Sequence, residues 1–282
     1  MGFRGILGHP FIDLEPYLDT SRFEEIDEEI SLGLARVAVE YTGGSHRHMG
    51  IVPPSLADEP YVDYGDVIAE FDRDEFARFI SLAERPGEFD VERQHEYSFG
   101  EERDVPLTKK QMLWLEYRYG VYFPWKVFYE MIPTKNWDDK SHGVGKEFKD
   151  EAEVHFPKLI ELVRALPFVE VGRCNILGLA ANDHGTVHTD LGKDEKPEPD
   201  QFITLCPRGD KRLYLWDEQR DEGARTRTRD EQKYFIESRA YWFNDSDYHG
   251  VEADPFFRYS VRVDGFFDPE FLARVAADAG RR

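Results

Sequence analysis

No stretch of this sequence reaches the ~18 consecutive apolar residues that a membrane-spanning helix needs. Basic residues are scarce: 36 Lys and Arg stand against 57 Asp and Glu, a net charge of −21. Such a surface repels polyanions, so neither nucleic acid nor an anionic membrane is an expected partner. Cysteine is limited to Cys174 and Cys206, both in apolar, strand-like segments without metal-type spacing. That excludes a disulfide framework and predicts two buried free thiols. A P-loop, a Gly-x-Gly-x-x-Gly turn and a Gly-x-Ser-x-Gly elbow are all missing, which leaves nucleotide binding and serine hydrolysis without support. The first ten residues lack the long apolar region and small-residue cleavage site of a secretory signal, so the expected location is cytoplasmic.

What is present reads as a folded globule. Hydrophobic residues make up 40% of the 282 and aromatic ones 14%, too many for a disordered chain despite the charge. Apolar residues three and four apart predict amphipathic helices over Arg22 to Val39 and Asp72 to Glu84. Thr108 with Gln111 forms a capping box that starts a third helix near Lys109. Beyond it, eight of the sixteen residues from Trp114 to Tyr129 are aromatic, a density read as core packing rather than a substrate wall. Asp150 is expected to cap a long helix, Glu151 to Ala165, ended by Leu166-Pro167. The texture then changes to eight short alternating runs, at 168–179, 186–191, 201–206, 212–216, 233–236, 240–243, 249–252 and 257–267. A helical and irregular region over 1–147, able to act as lid and support, is thus expected to pack on a β core over 148–282 as one compact unit.

The chemistry concentrates in those runs. His188-Thr189-Asp190 is followed 59 residues later by His249, and then by Arg258-Tyr259-Ser260. In an extended segment residues i and i+2 share a face, so His188 and Asp190 can grip one metal while Thr189 turns away. Two imidazoles and one carboxylate form the facial set that holds non-haem Fe(II) with open coordination positions. The stretch from Phe257 to Val263 alternates strictly, Arg258, Ser260 and Arg262 on one face and Tyr259, Val261 and Val263 on the other. Arg173 with Asn175, Thr204, and Arg212 with Tyr214 alternate in the same manner, as a barrel with a polar lumen requires.

On these residues the chain resembles the Fe(II)- and 2-oxoglutarate-dependent dioxygenases, and its 249–267 tail looks most like the prolyl and aspartyl/asparaginyl hydroxylase branches. The likeness covers about residues 168–268. It implies an α+β protein with a double-stranded β-helix (jelly-roll, cupin-like) core. It implies His188, Asp190 and His249 as ligands to Fe(II), and 2-oxoglutarate and O2 as co-substrates. Arg258, nine residues after His249, would anchor the distal carboxylate of 2-oxoglutarate, with Ser260 and Tyr214 as further donors and Arg262 as the runner-up cation. The implied reaction is hydroxylation of an unactivated C–H bond in a small molecule or peptide, with succinate and CO2 released.

Rival readings attach to some of the same residues. A cupin-like metal enzyme without 2-oxoglutarate would use Arg258 and Arg262 for its substrate, and a non-catalytic binding barrel would leave the triad without metal. His184 and His188, four apart, would suit zinc only on a helix, which Gly185, Thr186 and Val187 disfavour. His46 and His48 read as loop histidines among glycines, and the basic island 220–229 as a solvated hairpin.

Overall fold

The alternation at the end of the chain decides the architecture, because a strand with one polar and one apolar face must bury both to sit at the centre of a sheet. The computed structural model describes residues 3–43, 64–97, 99, 107–121, 123, 125–134, 139–190, 199–216 and 233–281, with the backbone alone at 40–43, 66, 125, 126 and 186–188. The strands are β1 (Phe11–Asp13), β2 (Glu40–Gly43), β3 (Trp125–Ile132), β4 (Phe168–Leu179), β5 (Gly185–His188), β6 (Phe202–Leu205), β7 (Leu213–Trp216), β8 (Lys233–Phe235), β9 (Ala240–Phe243), β10 (His249–Val251) and β11 (Arg258–Phe267). They form a seven-stranded sheet, β1-β9-β6-β11-β4-β3-β2, and a four-stranded sheet, β5-β10-β7-β8. Among the described residues every strand pairing is antiparallel. All eight expected runs are strands, and the chain from β4 to β11 crosses repeatedly between the two sheets.

The helices are α1 (Phe23–Leu34), α2 (Tyr64–Ala69), α3 (Arg73–Ile80), α4 (Lys109–Tyr119), α5 (Asp150–His155), α6 (Pro157–Arg164) and α7 (Pro269–Ala279). The apolar face of β11 lies under them: Tyr259 donates to Asp27 of α1 at 2.7 Å, and Tyr129, Ile176, Val261 and Leu205 share one register row in the core that Ile26, Ile30, Leu159 and Val163 complete. The polar face of β11 looks toward the four-stranded sheet. A row across the large sheet runs Glu130, Asn175, Arg262, Thr204, Tyr241, Asp13.

Several expectations need correction. The N-terminal half, expected to be helical and irregular, also supplies β1, β2 and β3 to the large sheet. The long helix expected over Glu151 to Ala165 is two helices. Pro157 has no N–H to donate and drives the preceding Phe156 to φ −132°, ψ 42°, so the chain bends there, and Asp150 lies inside α5 rather than capping it. The Thr108 capping box holds in both directions. The aromatic stretch divides at Gly120, which ends α4 with φ +71°. Trp114 and Tyr119 pack in a second cluster with Phe71, Phe76, Phe79, Phe99 and Phe123, whereas Tyr129 packs against Phe156 in the main core. His46, His48 and the 220–229 island lie outside the described residues.

Candidate metal centre

Register brings the motif together. His249 of β10 pairs directly with His188 of β5, and the two strands lose step between His249 and Val251. A bulge of that kind re-aims the residues beside it. The His184–His188 helical pair is excluded, because residues 185–188 are a strand. Just past β5, the Asp190 N–H donates to the Asp245 carbonyl at 2.9 Å, which ties the end of the small sheet to the turn after β9.

His249 is buried, and its Nδ1 lies 2.9 Å from the Asp247 carbonyl. A carbonyl only accepts, so Nδ1 carries the proton and donates. In the neutral ring Nε2 then holds the lone pair, and Nε2 faces Asp190 Oδ1 at 3.6 Å. Two acceptors aimed at each other across that gap repel unless a proton or a metal cation lies between them. A backbone carbonyl orienting the far ring nitrogen is also the arrangement seen behind metal-binding histidines. The donor set fits a divalent metal. Among the described side chains no three His, Cys, Asp or Glu assemble into a metal cage, and for His188 only the backbone is described.

The second oxygen of Asp190 is taken. Arg262 Nη1 donates to Asp190 Oδ2 at 2.7 Å, Nη2 to Asp245 Oδ2 at 2.7 Å and Nε to Asp264 Oδ1 at 3.0 Å. Burial would lower the pKa of this guanidinium, but Asp264, Asp245 and Asp190 outweigh it and push it up. Arg262 therefore stays charged and is held by protein carboxylates, not offered to a cofactor. Lys140 extends the cluster, 2.5 Å from Asp200 and 3.5 Å from Asp245, and Arg173 grips the other oxygen of Asp264 at 2.8 Å. Lys140, Asp200, Asp245 and Asp264 were not singled out from the sequence, because nothing local marks residues that meet only through the fold.

The expected cofactor residues are distributed differently from the alternation pattern. Arg258 is 1% exposed, and its guanidinium donates to the carbonyls of Ala180 (3.3 Å), Asp254 (3.5 Å), Phe256 (3.2 Å), Glu252 (2.6 Å) and Asp183. It staples the β4–β5 connection to the β10–β11 connection. Tyr214 pairs with Gly250, so its side chain leaves the opposite face of the small sheet from His249, beside Phe235 and Lys233. The polar-lumen expectation is reversed on β7: Leu213 and Leu215 face inward, while Arg212 stacks over Phe235 outside. Ser260 does face the lumen, and its hydroxyl accepts a bond from Lys211 Nζ at 2.7 Å. Lys211 was also missed; it precedes β7 by two residues and gave no periodic signal. In the row beside Arg262, the Asn175 Oδ1 acceptor is buried and has no hydrogen-bond partner among the described residues.

No family model and no curated protein matches the chain. Solved structures similar to it include a prolyl-4-hydroxylase of Pseudomonas putida, at 10% identity and a TM-score of 0.28 over 49% of this chain and 70% of that one. An oxidoreductase of the 2OG-Fe(II) oxygenase family from Burkholderia pseudomallei gives 11% and 0.29 over 49% and 67%. A viral collagen prolyl hydroxylase of Paramecium Bursaria Chlorella virus-1 gives 8% and 0.25 over 49% and 78%.

Proposed function

We propose that this chain is an Fe(II)- and 2-oxoglutarate-dependent dioxygenase with a double-stranded β-helix core, hydroxylating an unactivated C–H bond of an amino acid, free or within a peptide. The observation that carries the reading is the 3.6 Å approach of His249 Nε2 to Asp190 Oδ1 with His188 in register beside them. The strand orders β9-β6-β11-β4 and β8-β7-β10-β5 support the core, since eight strands shared between two sheets make a jelly roll. The amino-acid or peptide substrate follows from the resemblance of the 249–267 tail to prolyl and aspartyl/asparaginyl hydroxylases.

His188, Asp190 and His249 would hold the metal. Bound Fe(II), with 2-oxoglutarate and O2, supplies the oxidising chemistry, the keto acid leaving as succinate and CO2. The protein's own contribution is orientation and shielding. Asp247 fixes the His249 tautomer through its carbonyl, and the Phe243 ring lies edge-on to the imidazole at 5.0 Å, keeping water from that side. For the distal carboxylate of 2-oxoglutarate, the ammonium of Lys211 beside the Ser260 hydroxyl is the pair we assign, in place of Arg258. A second reading, a metal enzyme of the same core that does without 2-oxoglutarate, is favoured by one observation: both arginines of β11 are engaged with protein oxygens. A screen of amino acids and peptides for substrate-stimulated succinate release separates the two. Succinate formed in proportion to one substrate supports the first. Metal-dependent turnover indifferent to 2-oxoglutarate supports the second.

A further inference from the structure

We propose that Arg262 is the positioning residue of the metal centre: it withholds one oxygen of Asp190 and presents the other as a single-oxygen ligand. This rests on the reading of Asp190 as a ligand, and adds how the ligand is held. A free carboxylate two bonds from the backbone rotates about both and can offer either oxygen or both. Here Oδ2 is bound by Arg262 Nη1 at 2.7 Å, and Oδ1 is the oxygen turned toward His249 Nε2. With the Asp190 N–H fixed to the Asp245 carbonyl, side chain and main chain are both pinned.

Arg262 can do this because it cannot move. Its Nε is fixed by Asp264, its Nη2 by Asp245, and its planar face rests on the Phe202 ring with the guanidinium carbon 3.8 Å from the ring centre. Asp264 is clamped in turn by Arg173, and Asp245 is approached by Lys140, which also meets Asp200. Three carboxylates arranged about three nitrogens match the rigid guanidinium fork; a lysine ammonium on a flexible stem cannot satisfy all of them at once.

Residues that orient metal ligands typically change affinity by about 10–100-fold when removed. The test is Co(II) binding to the full chain by competition with a chromophoric chelator, together with the ligand-field bands of the bound ion, for wild type, Arg262→Gln, Arg262→Lys and Arg173→Gln. Arg173 belongs to the same network but does not touch Asp190, so it controls for general loosening. Expected are a loss of ~10–100-fold in affinity and altered bands for Arg262→Gln, and smaller losses for Arg262→Lys and for Arg173→Gln, which loosens Asp264 but leaves the bond to Asp190 in place. Wild-type affinity and bands in a folded Arg262→Gln protein, with folding shown by near-ultraviolet circular dichroism, overturn the inference. An equal loss in Arg173→Gln overturns it as well. If Arg262→Gln does not fold, Arg262→Lys decides by the same criterion. A wild type that binds no Co(II) fails at the earlier step, the reading of Asp190 as a ligand.

Discussion

Replacing Arg258 by Met should destabilise the fold severely while leaving the requirement for 2-oxoglutarate nearly unchanged. The side chain is 1% exposed, so its five carbonyl contacts are made away from bulk water. Three of these, at 3.2–3.5 Å, are long and weak; the two from Nη2, to Glu252 and Asp183, are short. A hydrogen bond from a charged group contributes about 1.5–3 kcal/mol, so the loss of the short pair alone costs ~3–6 kcal/mol. That overlaps the ~2–5 kcal/mol typical of truncating a buried charged partner. Met keeps the apolar stem, which confines the change to the guanidinium. For a chain of this size each kcal/mol moves Tm by roughly 2–4 °C, and the expected fall is on the order of 10 °C. Thermal denaturation followed by circular dichroism reads the stability, and succinate formation against 2-oxoglutarate concentration reads the cofactor. A variant with unchanged Tm and a 2-oxoglutarate requirement raised more than tenfold would refute the reasoning and return Arg258 to the cofactor.

Lys211→Ala should show the reverse pattern: modest change in Tm, and an apparent 2-oxoglutarate requirement raised by more than about tenfold. An unaltered requirement would remove Lys211 and Ser260 from the cofactor site. The two cysteines should resist a thiol reagent at pH 8 in the native protein and both react in denaturant. Burial pushes the Cys206 thiol up to about 11 and Cys174 higher still, whereas an unfolded thiol titrates near ~8.5. Because the folded values are raised, the sign is fixed: stability from these neutral thiols is full below the unfolded pKa and declines as pH rises toward 11. Rapid labelling of the native chain would contradict the burial.

The strands of the core were legible because period-two alternation is a local property, and 168–179 and 240–243 match their strands to the residue. The start of the helix at Lys109 was legible for the same reason, its capping box being contained in four residues. Other elements were not read. The helix Pro269–Ala279 was missed although Asp268 followed by Pro269 is a clear start, the Asp268 carboxylate accepting from Glu270 and Phe271. Strand β3 was hidden in an aromatic stretch whose change from helix to strand is marked in the sequence by Gly120 and Pro124. At the site, the sequence order pointed to His188, Asp190 and His249, but alternation gives only a face, not the identity of the partner across the lumen. Arg258 and Arg262 share a face and differ wholly in partners, carbonyls for one and carboxylates for the other. Tyr214 failed for a related reason: its strand pairs so that the leucines, not the tyrosine, share the face of His249.

The central claim is a metal held by His188, Asp190 and His249 that chelates 2-oxoglutarate. The most direct measurement adds Fe(II) to the chain without oxygen, then 2-oxoglutarate, and records the visible spectrum of wild type and Asp190→Ala. A weak charge-transfer band is expected that appears in wild type only when both are present and is lost in Asp190→Ala. A wild-type spectrum that 2-oxoglutarate leaves unchanged while metal stays bound, or a band undiminished in Asp190→Ala, would contradict it.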